Sequence, residues 1–170
     1  MLQVDLRELA RGPVETRGEL PVTDPALAGL EFPPSDPVRV SGRLQPVGEG
    51  RFFWEATLRT RLVGECRRCL TPVAADVVAK VAALFSQEPG AADDPETYVV
   101  APDATAVDLT PAVREELFLS IPRYLECRED CRGLCPRCGK DLNAGPCGCA
   151  PDAVDPRWQA LAALKDKFRD

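Results

Sequence analysis

Eight cysteines occur in this chain as four close pairs, a pattern that can bind metal ions, form disulfides or support redox chemistry. The pairs are Cys66 and Cys69, Cys127 and Cys131, Cys135 and Cys138, and Cys147 and Cys149. Four pairs supply the ligands of two tetrahedral four-sulfur sites and leave no cysteine over. We therefore expect zinc as the cofactor, with two structural ions per chain.

The residues between the pairs indicate how the thiols divide into sites. The connection "GKDLNAGP" (139–146) contains glycine, asparagine and proline, enough turn formers to fold back as a small zinc ribbon. This predicts that site 2 contains the four local cysteines, Cys135, Cys138, Cys147 and Cys149. By elimination, site 1 contains Cys66, Cys69, Cys127 and Cys131. Spacing also permits Cys127 and Cys131 to share a metal with Cys135 and Cys138.

Other interpretations of the cysteines stay open. The stretch "CRGLCPRC" (131–138) matches the three-then-two spacing of the iron-sulfur motif in radical enzymes that use S-adenosylmethionine, and an ordinary structural iron-sulfur cluster is a second alternative. A redox dithiol at Cys66 and Cys69 is a third. Structural disulfides are disfavoured, because charges at Asp5, Arg7 and Glu8 interrupt any secretory signal and so favour a cytoplasmic, reduced protein.

Catalysis and membrane insertion find little support in the residues. The chain has no histidine, which excludes histidine-dependent triads and histidine metal ligands. A site filled by four cysteines has no open position for an activated water, and no acid stands in a motif with a base. The longest apolar stretches fall short of the roughly 20 residues that span a bilayer. We expect a protein that is not an enzyme, with no small-molecule substrate and no membrane partner.

Charge is unevenly distributed along the chain. The formal net charge is -6, and the stretch from Glu88 to Glu116 alone carries eight acids against one base. The rest of the chain is therefore close to neutral. This balance disfavours a nonspecific coat on nucleic acid.

Three segments predict the sheet that must position the first cysteine pair. Apolar and polar residues alternate in "VRVSGRLQP" (38–46) and "FFWEATLRTRL" (52–62), with a turn at "VGEG" between them. Pairing residues whose numbers sum to 98 places Leu44 opposite Trp54 and Val40 opposite Leu58, so that the two apolar faces coincide. The segment "PVAADVVAKVAALFSQ" (72–87) fits the periods of both a helix and a strand. We favour a strand, because it then forms a hairpin around "CRRC".

The remaining elements are shorter. We expect irregular structure from Gly12 to Pro37 with one helical turn near Ala26 to Leu30, and a short strand at "YVV" (98–100). A helix is predicted from Thr110, its cap, through Ile121. A last amphipathic helix should begin at Asp155.

These elements predict an α+β fold with an antiparallel β-sheet core, a few helices and a cysteine-rich segment that resembles a zinc ribbon. The chain divides into three parts. They are a β-rich domain at 1–126 that contains the first cysteine pair, a zinc-binding segment at 127–150, and a C-terminal helix at 151–170 that packs on the domain.

Two groups of basic residues could contact phosphate. The solvated side of the predicted hairpin carries Arg39, Arg43, Arg59 and Arg61, which are either an ordinary wet sheet face or part of a phosphate-binding surface. The metal turns carry Arg67, Arg68, Arg132, Arg137 and Lys140. A rigid turn could present these side chains to phosphate, although simple solvation explains them equally well.

Taken together, the motifs resemble those of the YceD family of bacterial and plastid proteins, which are needed for accumulation of large-subunit ribosomal RNA. The resemblance is carried by "ECRRCLTPV" (65–73), "DLTPAVREELFLSIP" (108–122), "CRGLCPRCGKDLN" (131–143), "CGC" (147–149) and "DPRWQALAALK" (155–165). It implies a role in the synthesis, processing or stability of 23S ribosomal RNA, and no established catalytic activity. Two classes remain open: a binder of ribosomal RNA or of a large-subunit precursor, and an adaptor that contacts only proteins.

Overall fold

A computed structural model describes residues 2–149, and the helix predicted from Asp155 lies outside them. Seven strands and two α-helices occur in the described part. They are β1 (Gln3–Asp5), α1 (Leu6–Leu9), β2 (Val14–Leu20), β3 (Val38–Gly48), β4 (Arg51–Glu65), β5 (Pro72–Ser86), β6 (Thr97–Val99), β7 (Ala106–Asp108) and α2 (Thr110–Ser120). Short 3₁₀ helices span Pro25–Leu27, Ala91–Asp93 and Leu142–Ala144.

The main sheet has the strand order β2-β3-β4-β5-β6. All of its neighbours are antiparallel except β5 and β6, which run parallel over three residues. Strands β1 and β7 form a separate antiparallel pair. The predicted α+β class with an antiparallel core is therefore confirmed.

The predicted register of the central hairpin is confirmed as well. Leu44 lies opposite Trp54, and Val40 lies opposite Leu58, as the sum of 98 requires. A shift in pairing occurs only near the turn, between Pro46 and Gly48. The alternation of apolar and polar residues specifies this register, because a slip by one residue would move every apolar side chain of one strand to the solvent.

The core lies on one side of the main sheet. It contains the even-numbered side chains of β4 and the odd-numbered ones of β5, together with residues of β1, β7 and α2. Trp54 is fully buried at its centre, and its indole N–H donates to Thr16 Oγ1 over 2.9 Å. Val113 and Leu117 place α2 against this buried side. The other side of the sheet faces solvent.

Two local expectations were wrong. The segment expected to be irregular contains β2, which pairs with β3 from Val14 to Leu20. Its alternation is weak because the positions facing the core include Thr16 and Gly18 as well as Leu20. In α2, Thr110 is the first helical residue rather than the cap, and Asp108 Oδ1 accepts its backbone N–H over 2.9 Å.

Strands β4 and β5 each contain 15 residues and pair along their whole length. Their last pair, Glu65 and Pro72, encloses the turn that carries the first cysteine pair. The strand expected at 72–87 is thus present, since every second residue from Val77 to Phe85 is buried. The long hairpin places Cys66 and Cys69 at the end of the sheet, where the later part of the chain can reach them.

Candidate metal centres

Site 1 is formed at the end of the β4–β5 hairpin. The Sγ atoms of Cys66, Cys69, Cys127 and Cys131 all lie within 4.8 Å of one another. Cys66 Sγ is 3.8 Å from Cys131 Sγ, and Cys69 Sγ is 3.6 Å from Cys127 Sγ. Three of these cysteines are buried and Cys127 is exposed.

Site 2 lies in the segment that follows. The Sγ atoms of Cys135, Cys138, Cys147 and Cys149 also lie within 4.8 Å of one another. Cys135 Sγ and Cys147 Sγ are 3.3 Å apart. Of the four, only Cys135 is buried. The structure therefore brings together the same two groups of four that the spacing predicted, and it separates Cys127 and Cys131 from Cys135 and Cys138.

The sulfur separations fit a four-coordinate metal. A Zn–S bond of about 2.3 Å gives sulfur–sulfur edges of about 3.8 Å in a regular tetrahedron. The observed 3.8 and 3.6 Å at site 1 match this edge, and 3.3 Å at site 2 is somewhat short of it. All eight cysteines are free, and these separations far exceed the roughly 2.05 Å of a disulfide bond. Each group can hold one metal ion.

The first pair of site 1 and the first pair of site 2 lie in turns with the same backbone hydrogen bonds. In the turn at 66–71, Cys66 N donates to Thr71 O and Leu70 N donates to Cys66 O, both over 2.8 Å. In the turn at 135–140, Cys135 N donates to Lys140 O over 2.8 Å and Gly139 N donates to Cys135 O over 2.9 Å. Two metal knuckles of one type therefore begin the two sites.

The two knuckles differ at the residue after the second cysteine. This residue has a positive φ in both, 58° at Leu70 and 70° at Gly139. Glycine adopts this conformation without steric cost, whereas leucine does so only under strain. Leu70 is the only described residue other than glycine with a positive φ, and its side chain is exposed.

Backbone N–H groups favour a thiolate at the first cysteine of each knuckle. The Cys127 N–H, followed by those of Arg68 and Cys69, lowers the pKa of Cys66 to about 6 against the opposing effect of burial. The Arg137 and Cys138 N–H groups lower the pKa of Cys135 to about 6 in the same way. Each group thus contains at least one sulfur whose thiolate form, the form that binds a cation, is favoured.

The close approach of the thiols raises the pKa of one cysteine at each site, Cys127 and Cys149. Hydrogen bonding to Cys131, followed by burial and the neighbouring thiols, raises the pKa of Cys127 to about 12. Hydrogen bonding to Cys138 and Cys147 raises the pKa of Cys149 to about 12. Four thiolates at this spacing repel one another, and a bound dication removes that penalty while it displaces the last protons.

Asn143 connects the two sites. It lies in the loop of site 2, yet its Nδ2 donates to Cys131 Sγ of site 1 over 3.5 Å. Its Oδ1 accepts the Arg132 backbone N–H over 2.8 Å and the Arg128 guanidinium over 2.9 Å. Asp141 Oδ1 accepts from Asn143 Nδ2 over 2.7 Å and fixes the orientation of the amide. Such partners of metal ligands orient them and tune the metal.

The backbone between the sites makes a second connection. Leu134 N donates to Arg68 O in the knuckle of site 1, and Leu142 N donates to Gly133 O, both over 2.9 Å. A Cβ on Gly133 would come within 2.9 Å of Arg68 O. Residues 133 and 134 are therefore held between the knuckle of site 1 and the loop of site 2 at Leu142, and the sites are not structurally independent.

Most of the basic residues predicted in the knuckles have partners inside the protein. Arg67 forms an ion pair with Glu126 at 2.6 Å and stacks over the Tyr124 ring at 4.0 Å. Arg68 also reaches Glu126 and donates to Cys131 O over 3.0 Å. Lys140 Nζ donates to Pro146 O over 2.9 Å. Arg137 has an interaction of its own, and Arg132 is exposed. These bonds give Arg67, Arg68 and Lys140 a structural role.

The grouping bears on the alternative metal and redox interpretations. Cys131 belongs to site 1, whereas Cys135 and Cys138 belong to site 2, so the three cysteines of "CRGLCPRC" do not converge on one cluster. Cys66 and Cys69 each have a sulfur from the later pair within 3.8 Å, so they do not form an isolated dithiol. The radical-enzyme iron-sulfur motif and the redox dithiol therefore both lose support.

Sequence reasoning missed three residues that shape the sites. Glu126 holds both knuckle arginines, Asn143 connects the sites, and Leu70 accepts a strained conformation. For Asn143 the sequence offers a partial signal, since asparagine is frequent in turns. Its contact with Cys131 depends on how the loop folds back, which spacing does not specify.

The described residues define a class: a mixed α+β protein with two groups of four cysteines, each suited to one metal ion. Comparison with known families then assigns the chain. Residues 54–165 match the family described as large ribosomal RNA subunit accumulation protein YceD. This protein belongs to the YceD family, as the motifs predicted.

Relatives occur in bacteria and plants. An uncharacterized protein of Mycobacterium tuberculosis (strain ATCC 25618 / H37Rv) is 34% identical over 170 residues, covering 96% of this chain and 81% of the relative. Protein YlbN of Bacillus subtilis (strain 168) is 30% identical over 131 residues, covering 75% of this chain and 74% of the relative. The chloroplastic YCED homolog 1 of Zea mays, described as a large ribosomal RNA subunit accumulation protein, is 26% identical, covering 95% of this chain and 59% of the relative.

No solved structure matches the chain. Within residues 2–149, neither helix has the length and apolar character needed to cross a bilayer.

Proposed function

We propose that this protein is a cytoplasmic, non-enzymatic zinc protein that supports the accumulation of 23S ribosomal RNA during assembly of the large ribosomal subunit. The observation that carries the proposal is the combination of two complete four-cysteine groups with the YceD family assignment. Its partner in this role is ribosomal RNA or a large-subunit precursor, reached directly or through another protein.

The chemistry of the donor set favours zinc as the metal. Thiolate groups of four suit zinc and iron-sulfur clusters, and tetrahedral geometry with closed coordination is typical of structural zinc. Each sulfur group here combines one knuckle with a second close pair of cysteines, and the Asn143 amide donates to Cys131 from outside the coordination shell. Zinc bound at site 1 would hold the β4–β5 hairpin against residues 125–134.

Elemental analysis of the native protein tests the metal. We expect about two zinc ions per chain. Substituting one cysteine in each site, Cys69→Ser and Cys138→Ser, should remove one zinc each. A value near zero, or a coloured protein with iron and acid-labile sulfide, contradicts the assignment.

The same closed geometry argues against catalysis. Four cysteines complete the coordination of a tetrahedral ion, so that no position is left for a metal-bound water. The protein would then act by binding.

Depletion of the protein in cells tests its role. We expect a selective fall in 23S ribosomal RNA relative to 16S ribosomal RNA, restored by the wild-type chain and not by a chain that lacks both metal sites. An unchanged 23S level after depletion contradicts the proposed function. Affinity capture from the same cells shows whether ribosomal precursors accompany the chain.

A further inference from the structure

The solvent-facing side of the main sheet carries a concentrated group of cations. We call it the basic face, and it consists of Arg17 on β2, Arg39 on β3, Arg59 on β4 and Lys80 on β5, with the hydroxyl residues Ser41 and Thr57 between them. All four basic residues are exposed. Sequence alternation indicated only part of this group, because it did not include β2 or the face of β5.

Strand register places these residues in two adjacent rows. One row runs Glu19, Arg39, Arg59 and Val78 across the four strands, and the next runs Arg17, Ser41, Thr57 and Lys80. Neighbouring strands are about 4.8 Å apart, and residues two apart on one strand are about 6.8 Å apart. The four cations therefore lie within a patch about 15 Å wide.

The centre of the patch is poorly neutralised by the protein itself. Arg39 pairs with Glu19 at 3.3 Å, but both side chains are largely exposed, so the pair is weak. Within residues 2–149, no carboxylate lies within ion-pair distance of Arg17, Arg59 or Lys80. The flanking rows of the same side contain the ion pairs Arg43 with Glu15 and Arg61 with Asp76, and the exposed Glu55 lies opposite Arg43.

Arg39 and Arg59 are directly opposed across β3 and β4. Like charges at opposed positions destabilise a sheet, and the ion pair of Arg39 with Glu19 offsets this only weakly because both side chains are exposed. An anion between the two guanidinium groups would remove the repulsion and accept hydrogen bonds from both. Phosphate oxygens suit the planar guanidinium fork particularly well.

We propose that the basic face binds the phosphate backbone of RNA. The inference rests on the proposed function and names the surface through which this protein contacts RNA. The two rows contain no aromatic side chain on which bases could stack. The face therefore recognises backbone charge and spacing, and it binds RNA with little dependence on sequence.

The overall acidity of the chain does not oppose this surface. Helix α2 packs on the buried side of the main sheet through Val113 and Leu117, and its Glu115 and Glu116 lie beside the edge of β5 rather than in either row of the basic face. The knuckle arginines are a weaker candidate for the same role. Arg67 and Arg68 are already held by Glu126, and Arg68 also by Cys131 O.

A matched pair of charge variants tests the proposal. The face variant replaces Arg17, Arg39, Arg59 and Lys80 by Gln, and the control variant makes the same change at Arg7, Arg11, Arg51 and Arg123, which lie outside the two rows. Both variants lose four positive charges. Fluorescence anisotropy with a labelled hairpin from 23S ribosomal RNA gives the affinity at salt concentrations from about 50 to 200 mM.

We expect the face variant to bind at least tenfold more weakly at low salt. Its slope of log K against log salt should be reduced by about 3, since each lost phosphate contact removes about 0.7 to 0.9. The control variant should stay within about threefold of the wild type, with an unchanged slope. Unchanged zinc content and unchanged tryptophan fluorescence, measured in a Trp158→Phe background so that it reports on Trp54, would show that both variants are folded.

Equal weakening of the two variants overturns the proposal, because it would reflect net charge alone. Absence of wild-type binding at low salt also overturns it. If depletion still lowers 23S ribosomal RNA in that case, the proposed function stands and the contact is made by a protein partner. If depletion has no effect on 23S ribosomal RNA, the proposed function fails as well.

Discussion

Site 1 joins cysteines up to 65 positions apart, whereas site 2 is complete within residues 135–149. Three cysteines of site 1 are buried, against one of site 2. Both begin with the same knuckle, but site 1 lies at the end of the longest hairpin and site 2 on a surface segment. The same type of knuckle therefore joins distant parts of the chain at site 1 and closes a local loop at site 2. The sequence position of the second cysteine pair makes the difference.

The difference predicts unequal consequences of losing a metal ligand. Cys66→Ser should remove the tie between the hairpin and residues 125–134 and lower the free energy of unfolding of the sheet by at least about 2 kcal/mol, within the range of large single-site effects. Cys135→Ser should change it by less than about 1 kcal/mol. Denaturant unfolding followed by Trp54 emission, in a Trp158→Phe background, measures both. Equal losses would contradict the distinction.

The two sites should not respond to mutation independently, because Asn143 in the loop of site 2 donates a hydrogen bond to a cysteine of site 1. Asn143→Ala removes a hydrogen bond to Cys131, so it should weaken metal binding at site 1 by about 10-fold to 100-fold although the residue belongs to the loop of site 2. Competition with a zinc chelator measures this affinity. Ala144→Ser, an exposed neighbour without such a contact, is the control. If Asn143→Ala weakens metal binding only at site 2, the hydrogen bond to Cys131 does not contribute to metal affinity at site 1.

The residue with positive φ is leucine in one knuckle and glycine in the other, so each can be replaced by the residue found in the other knuckle. Gly139→Leu should destabilise the metal-loaded ribbon by about 1 to 2 kcal/mol through backbone strain alone, since no atom lies within 4 Å of its added Cβ. Leu70→Gly relieves the same strain at site 1, partly offset by greater freedom of the unfolded chain, and should stabilise by at most about 1 kcal/mol. Thermal unfolding measures both. If both substitutions destabilise the protein, or both stabilise it, the two knuckles do not share the same backbone strain.

The smallest effect is expected from a surface ion pair near site 1. Hydrogen bonding to Arg61 lowers the pKa of Asp76 below its usual value of 3.8. The contribution of this depressed carboxylate is present above that usual value and is lost as the pH falls through the folded pKa. Asp76→Asn should therefore be slightly less stable than the wild type at pH 7, and the difference should disappear in acid. Zinc content at pH 7 should not change, because neither Arg61 nor Asp76 belongs to the four cysteines of site 1 that would hold the proposed metal.

The two regions also differ in how much the sequence predicts. Alternation in β3 and β4 determines their register because one face is buried, and Leu44 and Trp54 meet only in that register. Strand β2 escaped prediction because Thr16 and Gly18 give its inward face little apolar character. The cysteine groups follow from pair spacing and elimination. The contacts of Asn143 and Glu126 do not, since they depend on distances between residues that only the folded chain brings together.

The wide separation of the cysteines in site 1 has a consequence for the order of synthesis. Cys69 and Cys127 are 58 positions apart, so at about 5–20 residues per second the hairpin thiols wait roughly 3–12 s for their partners. The cysteines of site 2 leave the ribosome within about 1–3 s of one another. The four thiols of site 2 therefore become available almost together, whereas those of site 1 do not. Until Cys127 and Cys131 are made, Cys66 and Cys69 lack the thiols that complete site 1, and during that interval they are open to oxidation or to capture by another metal.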